Sequence, residues 1–214
     1  MIDFAFFLKF LTAILLAWWF NREIPSFANR INKQIYDEYH SLVSQKISYA
    51  DFEQESILKE KKSKYTFLFY LLFPIVGLSN EPILALVLIL LCFLSVIDML
   101  YYLTDIRCIA FIFLLTLYNG NIETLYITVF FFVFIHFFST FILKKEGFGL
   151  GDSLLLVALS PLFSIEEMLL LILIASLLGI TYYLIEPLFT QRKREKLPFI
   201  PFISAATFII ICTI

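Results

Sequence analysis

Residues 82–98 read PILALVLILLCFLSVID. No residue of this run is charged before the last one, an aspartate. Apolar and polar side chains do not alternate along this run, which excludes a strand of a membrane β-barrel and favours a helix. Crossing the hydrocarbon core of a bilayer takes about 20 helical residues, and this run approaches that length. We therefore expect a membrane helix over Pro82 to Ile97, with Asp98 at its end.

The composition of the whole chain extends this prediction. Its 214 residues are 61% hydrophobic and 18% aromatic, and the mean hydropathy is +0.90. A soluble domain does not carry so many apolar residues, and a chain in lipid must satisfy its backbone hydrogen bonds internally. The sequence therefore predicts an all-α polytopic bundle in a lipid bilayer. Because the formal net charge is -2, we expect no nucleic-acid partner.

Eight apolar runs follow one another, and we assign them as about eight transmembrane helices. The second, fourth and sixth runs fall below about 20 residues, so they are tilted, re-entrant or bounded differently by a few positions. The predicted spans are Asp3 to Phe20, Tyr65 to Leu78, Pro82 to Ile97, Ile106 to Tyr118, Ile122 to Leu143, Asp152 to Phe163, Ile165 to Phe189 and Leu197 to Ile214.

Lysine and arginine predict the orientation, because they stay on the cytoplasmic side of membrane spans. If the N-terminus lies outside, all sixteen basic residues except Lys9 fall within the cytoplasmic loops or, for Arg107, at a loop edge. This orientation places Asp98 and Asp152 together at the cytoplasmic face. The cytoplasmic loops are then Asn21 to Lys64, Asp98 to Asp105, Lys144 to Gly151 and Thr190 to Lys196.

The longest polar segment, Asn21 to Lys64, is predicted to be a cytoplasmic amphipathic connector. Its charges and helix-forming residues indicate one or two surface helices on the inner leaflet, with Ser48 or Asp51 as an N-cap. Nothing in this segment calls for a second domain, so we expect one membrane domain over residues 1–214.

Two carboxylates at the edges of predicted spans are the candidate catalytic residues. Asp98 ends one apolar run, and Asp152 opens another. If the two helices pack together, the acids meet in a partly dry site where both cannot ionise, so they share one proton. The charged acid can then draw a proton from water while the protonated one polarises a peptide carbonyl, which is the chemistry of an aspartic protease.

The second acid belongs to Gly149-Leu150-Gly151-Asp152. Gly149 and Gly151 are predicted to bind substrate, since a residue without a Cβ lets an extended peptide approach the backbone. The simpler alternative is a helix start with Asp152 as its N-cap. The membrane setting and the presence of the other acid favour catalysis. Asp105 is a rival for the first acid, but its position just before Ile106 favours helix capping.

Three elements together resemble the type IV prepilin peptidases, the bacterial Gly-x-Gly-Asp membrane aspartyl proteases. These are Ile97-Asp98 with its polar turn, Gly149-Leu150-Gly151-Asp152, and Leu197-Pro198-Phe199-Ile200-Pro201-Phe202 before the last span. The resemblance covers most of the chain from Tyr65 onward. It implies that Asp98 and Asp152 are the catalytic pair.

The resemblance also implies a function and a location. Such enzymes remove the short basic leader from type IV prepilins or type II secretion pseudopilins, cutting after a glycine at the cytoplasmic face of the bacterial inner membrane. Proteolysis requires no cofactor. Many relatives also methylate the new N-terminus with S-adenosylmethionine.

The chain departs from the family pattern in three places. Asn21 to Lys64 lacks the zinc-binding Cys-x-x-Cys pairs, Tyr65 to Phe69 lacks the glutamate of a Tyr-Pro-Leu-Val-Glu-like stretch, and Leu103-Thr104-Asp105 replaces Leu-Pro-Asp. We therefore expect neither zinc nor methyl transfer. His136 has no second ligand in view and is interpreted as a packing residue. The scattered cysteines are interpreted likewise: Cys92, Cys108 and Cys212.

A non-enzymatic interpretation stays open at this point. A small transporter, or an assembly subunit of a pilus or secretion system, could use the same carboxylates to bind a cation or relay protons. Such a protein would hold its acids near the bilayer midplane, whereas Asp98 and Asp152 lie at predicted span edges, which favours hydrolysis. An inactive relative of the peptidases is a further alternative. The substrate and the oligomeric state do not follow from the sequence.

Overall fold

The structure, a computed structural model, describes residues 4–42, 48–62, 66–77, 81–118, 120–143, 149–189 and 197–213. Every regular element in these ranges is helical, so the all-α prediction is confirmed. The α-helices are α1 (Phe4–Leu42), α2 (Tyr49–Glu55), α3 (Phe69–Gly77), α4 (Pro82–Tyr101), α5 (Ile106–Leu117), α6 (Ile122–Phe138), α7 (Leu150–Leu159), α8 (Ile165–Phe189) and α9 (Ile200–Thr213). Short 3-10 turns cover Thr66–Leu68 and Ser160–Leu162, and a π turn covers Ser139–Leu143.

Within the described ranges, three helices are long and apolar enough to cross a membrane. They are Pro82–Tyr101, Ile122–Phe141 and Ile165–Pro187. Four shorter apolar helices accompany them, at Thr66–Gly77, Ile106–Leu117, Leu150–Leu162 and Ile200–Thr213. The count of about eight transmembrane helices stays a prediction. The predicted loop Thr190 to Lys196, and Lys144 to Phe148 of another predicted loop, lie outside the described residues.

The chain divides into two compact units, Met1–Asn80 and Glu81–Ile214. The single membrane domain over residues 1–214 stays a prediction. In the first unit, α1 does not stop at Phe20, the predicted end of the first span, but continues to Leu42. The end of the membrane span at Phe20 stays a prediction. The helix itself is longer because the buried face of α1 continues past Phe20 at intervals of three or four residues. This face comprises Ala13, Ala17, Phe20, Ile24 and Phe27.

The same unit confirms one predicted cap. The Ser48 hydroxyl accepts a hydrogen bond from the backbone N–H of Asp51 and caps α2. The buried Asn32 of α1 then holds the segment after α2, since its amide donates to the carbonyl of Leu58 at 2.9 Å and accepts from the Ser56 hydroxyl at 2.7 Å. The cytoplasmic position of Asn21 to Lys64 stays a prediction.

In the second unit, packed helices carry the candidate acids. Helix α9 packs on α4 and on α8, while α5 packs on α7. The Thr116 hydroxyl of α5 donates to the carbonyl of Ala158 in α7 at 2.7 Å. Beyond α5, a Cβ on Gly120 would lie 2.4 Å from the Cβ of Pro161, so only glycine lets this turn reach the end of α7. These contacts hold α7 firmly at the end opposite to Asp152.

Candidate active site

Asp98 lies in the last turn of α4 and its side chain is only 7% exposed. Helix α4 begins with Pro82 at its first position, where the missing N–H costs no hydrogen bond. It ends at Tyr102, which adopts the left-handed conformation with φ 55° and donates its N–H to the Asp98 carbonyl at 2.9 Å. The chain therefore leaves the helix one turn after Asp98, and the carboxylate lies near the end of the buried part of α4.

The start of α9 faces this carboxylate. The Phe199 carbonyl accepts hydrogen bonds from the amides of Phe202 and Ile203, so the helix begins immediately after Phe199. The first amides of a helix have no acceptor within it. Here the Ile200 amide donates to Oδ2 of Asp98 at 3.0 Å, and the Phe199 backbone also bonds this carboxylate. Asp98 thus caps α9 from another helix.

Asp152 lies in the first turn of α7, where a negative charge is favoured by the helix dipole. The N-cap of this helix is Gly149, because its carbonyl accepts the first helical hydrogen bond, from the Ser153 amide at 3.0 Å. The alternative prediction of Asp152 as the N-cap is therefore wrong by one turn. The carboxylate folds back over the helix start, since a Cβ on Gly149 would lie 2.7 Å from Oδ2 of Asp152.

Gly151 has a separate packing role. A Cβ at this position would lie 2.7 Å from Oγ1 and 3.2 Å from the Cβ of Thr104. Thr104 belongs to the short connection between α4 and α5, so this glycine lets the chain that follows Asp98 lie directly against the first turn of α7. Both glycines are thus explained by contacts within the chain. Their predicted contact with substrate stays a prediction.

The two acids lie near each other in the fold. Thr104, in the connection that follows Asp98, packs on Gly151, which precedes Asp152. Asp98 is buried and Asp152 is half-buried, and a negative charge on Asp98 disfavours one on Asp152. Among the residues that the structure describes, no hydrogen bond to the Asp152 carboxylate is found, whereas Asp98 accepts two. Such a pair has room for one negative charge and one proton, because two nearby carboxylates in a dry site do not both ionise.

Asp105, the rival candidate, has a structural role. Its side chain accepts a hydrogen bond from the Arg107 amide at 3.0 Å and caps the N-terminus of α5. The capping interpretation made from the sequence is therefore confirmed.

An open apolar cleft of about 450 Å³ lies between α6 and α7. It is lined on α7 by residues of one helical face, including Leu150 and Leu154, and on α6 by His136, which is exposed rather than packed. At 3.6 residues per turn this face of α7 points roughly 150° away from Asp152. The cleft therefore does not open directly onto the acid pair.

The role of the Ile200 amide does not follow from the sequence, although Ile200 belongs to the Leu197–Phe202 element. One local signal was present, because Leu197-Pro198-Phe199 offers no Ser, Thr, Asp or Asn to cap the helix that follows. A helix start without its own cap needs an acceptor from elsewhere. Within the described residues, no three His, Cys, Asp or Glu side chains cluster so as to hold a metal ion, and the expectation of no zinc stays a prediction.

Comparison with known proteins adds to this geometry. A model of the type IV leader peptidase family matches residues 85–184, the range that contains both Asp98 and Asp152. This part of the chain is similar to the type IV leader peptidase family. The resemblance inferred from the sequence is thus confirmed.

One curated relative of this family, the prepilin leader peptidase/N-methyltransferase of Haemophilus influenzae, is 40% identical over 83 residues. The aligned part makes up 38% of this chain and 34% of the relative, so the match spans about a third of the relative's length. No solved structure matches the chain.

Proposed function

We propose that this chain is a membrane aspartic endopeptidase that removes the short basic leader from type IV prepilins or type II secretion pseudopilins. The family match and the name of the Haemophilus influenzae relative support peptide cleavage of this kind. The observation that carries the proposal is that the connection after Asp98 lies against the first turn of α7, where Thr104 packs on Gly151 beside Asp152. This contact brings two acids that are far apart in sequence to the same part of the fold.

The surroundings of the acids suggest their separate roles. Hydrogen bonds from backbone amides favour the ionised form of a carboxylate, so Asp98 is the charged member and accepts a proton from the attacking water. The water oxygen bonds to the peptide carbonyl carbon. Asp152 holds the shared proton and donates it to the carbonyl oxygen. The proton on Asp98 then passes to the amide nitrogen as the C–N bond breaks, and a hydroxyl of the tetrahedral intermediate returns a proton to Asp152 as the carboxyl product forms. General acid–base steps of this kind contribute about 10² to 10⁴ in rate.

This chemistry uses water and two carboxylates, so proteolysis requires no cofactor. We further propose that the chain binds no zinc and does not transfer a methyl group from S-adenosylmethionine. The relative's name joins both activities, but the alignment reaches only about a third of that protein. The mass of the cleaved product measures this directly: an unmodified N-terminus is expected, and an added methyl group would contradict the proposal.

The proposed location is the bacterial cytoplasmic membrane, with several spans, the N-terminus outside and the acids at the cytoplasmic face. The distribution of lysine and arginine supports this orientation. In a variant without native cysteines, Lys59→Cys should react with a membrane-impermeant maleimide only in inverted vesicles. Tyr118→Cys, an exposed position at the opposite end of a predicted span, should react from outside intact cells. The reverse pattern would overturn the orientation.

The catalytic assignment is tested by leader removal in cells. The chain is co-expressed with a candidate prepilin in cells that lack their own prepilin peptidase, and Asp98→Asn, Asp152→Asn and Asp105→Asn are compared. Asparagine keeps an oxygen that accepts the Ile200 amide, so Asp98→Asn removes the charge while preserving the cap of α9.

We expect leader removal to fall by at least about 10²-fold in the Asp98 and Asp152 variants, because each loses an acid–base step. Asp105→Asn should process the prepilin normally, since asparagine is as good an N-cap as aspartate. Normal processing by either Asp98→Asn or Asp152→Asn refutes the proposed mechanism. Thermal unfolding in detergent checks that all three variants are folded.

A further inference from the structure

Helices α4 and α9 share a second polar contact, one turn away from Asp98. The hydroxyl oxygens of Ser95 and Ser204 lie 2.7 Å apart. Each is also within hydrogen-bonding distance of the carbonyl four residues earlier in its own helix, at 2.7 Å for Leu91 and 2.9 Å for Ile200. Each hydroxyl has one proton, so one of them donates across the helix pair and the other donates to a backbone carbonyl.

The position of this pair follows from helix geometry. Ser95 and Asp98 are three residues apart, so they lie on the same face of α4, about 4.5 Å apart along its axis. Ile200 and Ser204 are likewise neighbours on one face of α9, about 6 Å apart along its axis. The Asp98–Ile200 bond and the Ser95–Ser204 bond are therefore two successive layers of one antiparallel contact.

Two polar contacts one turn apart determine more than either does alone. The hydrogen bonds to Asp98 hold only the first turn of α9, whereas the serine contact one turn further along also ties the register of α9 to α4. Leu94 and Ile203, the sequence neighbours of these serines, are fully buried, and aliphatic side chains pack without directional bonds. The next hydroxyl on this face of α9, that of Thr207, has no partner within the described residues.

We propose that Ser95 and Ser204 are positioning residues for the first catalytic acid. Their hydrogen bond holds the N-terminus of α9 in the register that brings the Ile200 amide to the Asp98 carboxylate. The serines touch neither water nor substrate in the reaction, and they act only through Asp98. This inference rests on the proposed function, because a positioned acid matters only if that acid takes part in cleavage.

The first test measures cleavage kinetics of the purified full chain in detergent with a prepilin-derived peptide. Ser95→Ala and Ser204→Ala should each lower kcat by about tenfold, the effect of losing one good hydrogen bond between membrane helices, with KM unchanged. Ser204→Thr keeps the hydroxyl and should restore most of kcat.

The matched control is Ser176→Ala in α8. The Ser176 hydroxyl donates to the carbonyl of Ile172, four residues earlier, at 2.7 Å, in the same way as Ser95 donates to Leu91. The Ser176→Ala substitution removes a hydroxyl of the same kind without disturbing the α4–α9 contact. We expect wild-type kcat and KM from this variant. An equal loss of kcat in Ser176→Ala would show that any helix hydroxyl has this effect and would overturn the inference.

A second readout does not depend on activity. Hydrogen exchange of the Ile200 amide should be faster in Ser95→Ala and Ser204→Ala than in the wild type or Ser176→Ala, since its bond to Asp98 is no longer held in register. Unchanged exchange together with wild-type kcat in both serine variants would overturn the inference even if Asp98→Asn is inactive. If Asp98→Asn itself cleaves normally, the proposed function fails, so the two failures are distinguishable.

Discussion

Asp98 and Asp152 are held in opposite ways. Asp98 is nearly buried and is fixed by a partner, since its Oδ2 accepts the Ile200 amide at 3.0 Å. Asp152 is placed by the absence of side chains around it: Gly149 leaves room for its carboxylate, and Gly151 lets Thr104 lie against its helix. Within the described residues, the Asp152 carboxylate has no hydrogen-bond donor of its own.

This difference suits two different steps of one reaction. A carboxylate with a fixed amide donor keeps its charge and its direction, as a base that receives a proton from water requires. A carboxylate without a donor can hold a proton, rotate and release it to a substrate. The contrast predicts that the same substitution has different consequences at the two acids.

The largest difference is expected in stability. Asp98→Ala leaves the Ile200 amide without its acceptor in a buried place, which should lower the free energy of unfolding by about 1–3 kcal/mol. Asp152→Ala removes a carboxyl group that shares its proton with Asp98 and that accepts no hydrogen bond from the described residues, so the loss should be below about 0.5 kcal/mol. Denaturant unfolding in detergent micelles measures both values.

Asp98→Asn is the control for this comparison, because asparagine still accepts the Ile200 amide and should recover most of the stability lost in Asp98→Ala. Equal losses in Asp98→Ala and Asp152→Ala would show that the α9 cap adds nothing to the fold. The distinction between a fixed and a free acid would then be lost.

A comparable loss is expected when Gly151 receives a side chain. Gly151→Ala places a Cβ 2.7 Å from Oγ1 of Thr104, and forcing an atom into such a packed contact costs about 1–3 kcal/mol. Thr104→Gly in the same chain removes the colliding atoms and should recover part of the loss. A double-mutant cycle from unfolding measurements reports this coupling, and strict additivity of the two changes would contradict it.

A smaller effect, seen in activity alone, is expected at Gly149. The Cβ of Gly149→Ala meets only the carboxylate of Asp152, at 2.7 Å, and that group can rotate away. The backbone at Gly149 has φ -60°, which alanine adopts without strain. We expect kcat to fall by about tenfold, as for a displaced catalytic group, with stability unchanged within about 0.5 kcal/mol. A loss of stability without a loss of kcat would contradict this explanation of Gly149.

Local patterns predicted several features correctly for identifiable reasons. Pro82 marks the start of α4, and Ser48 and Asp105 cap the helices that follow them, because caps and first-turn prolines act within a few residues. Hydropathy did not predict that α1 continues to Leu42, since it reports which side chains meet lipid or water and not where a backbone stops being helical. No local pattern distinguishes Asp152 from a cap, because Gly149 has no side chain to mark it as the N-cap of α7.

The contacts around Asp98 cannot be predicted from local sequence patterns. The amide of Ile200 and the hydroxyl of Ser204 meet Asp98 and Ser95 across about a hundred residues of chain, and no sequence spacing encodes that register. The acids themselves were recognisable because charged groups in apolar runs are rare and need a reason. What holds each of them depends on how helices pack, which a single sequence does not reveal.

The smallest expected effect concerns the residue that ends the helix of Asp98. Tyr102 is the non-glycine residue with positive φ among those described, and the left-handed region costs an L-residue about 1–2 kcal/mol. Tyr102→Gly removes this cost but adds about 0.5–1 kcal/mol of backbone entropy to the unfolded chain, so a net gain of a few tenths of a kcal/mol is expected. Tyr102→Val should instead be destabilising, because a β-branched residue tolerates this conformation least. Thermal unfolding of both variants measures this difference. If Tyr102→Gly were less stable than Tyr102→Val, the half-exposed ring of Tyr102 would have to hold the end of α4 by packing. Asp98 would then be fixed by the end of its own helix as well as by the Ile200 amide.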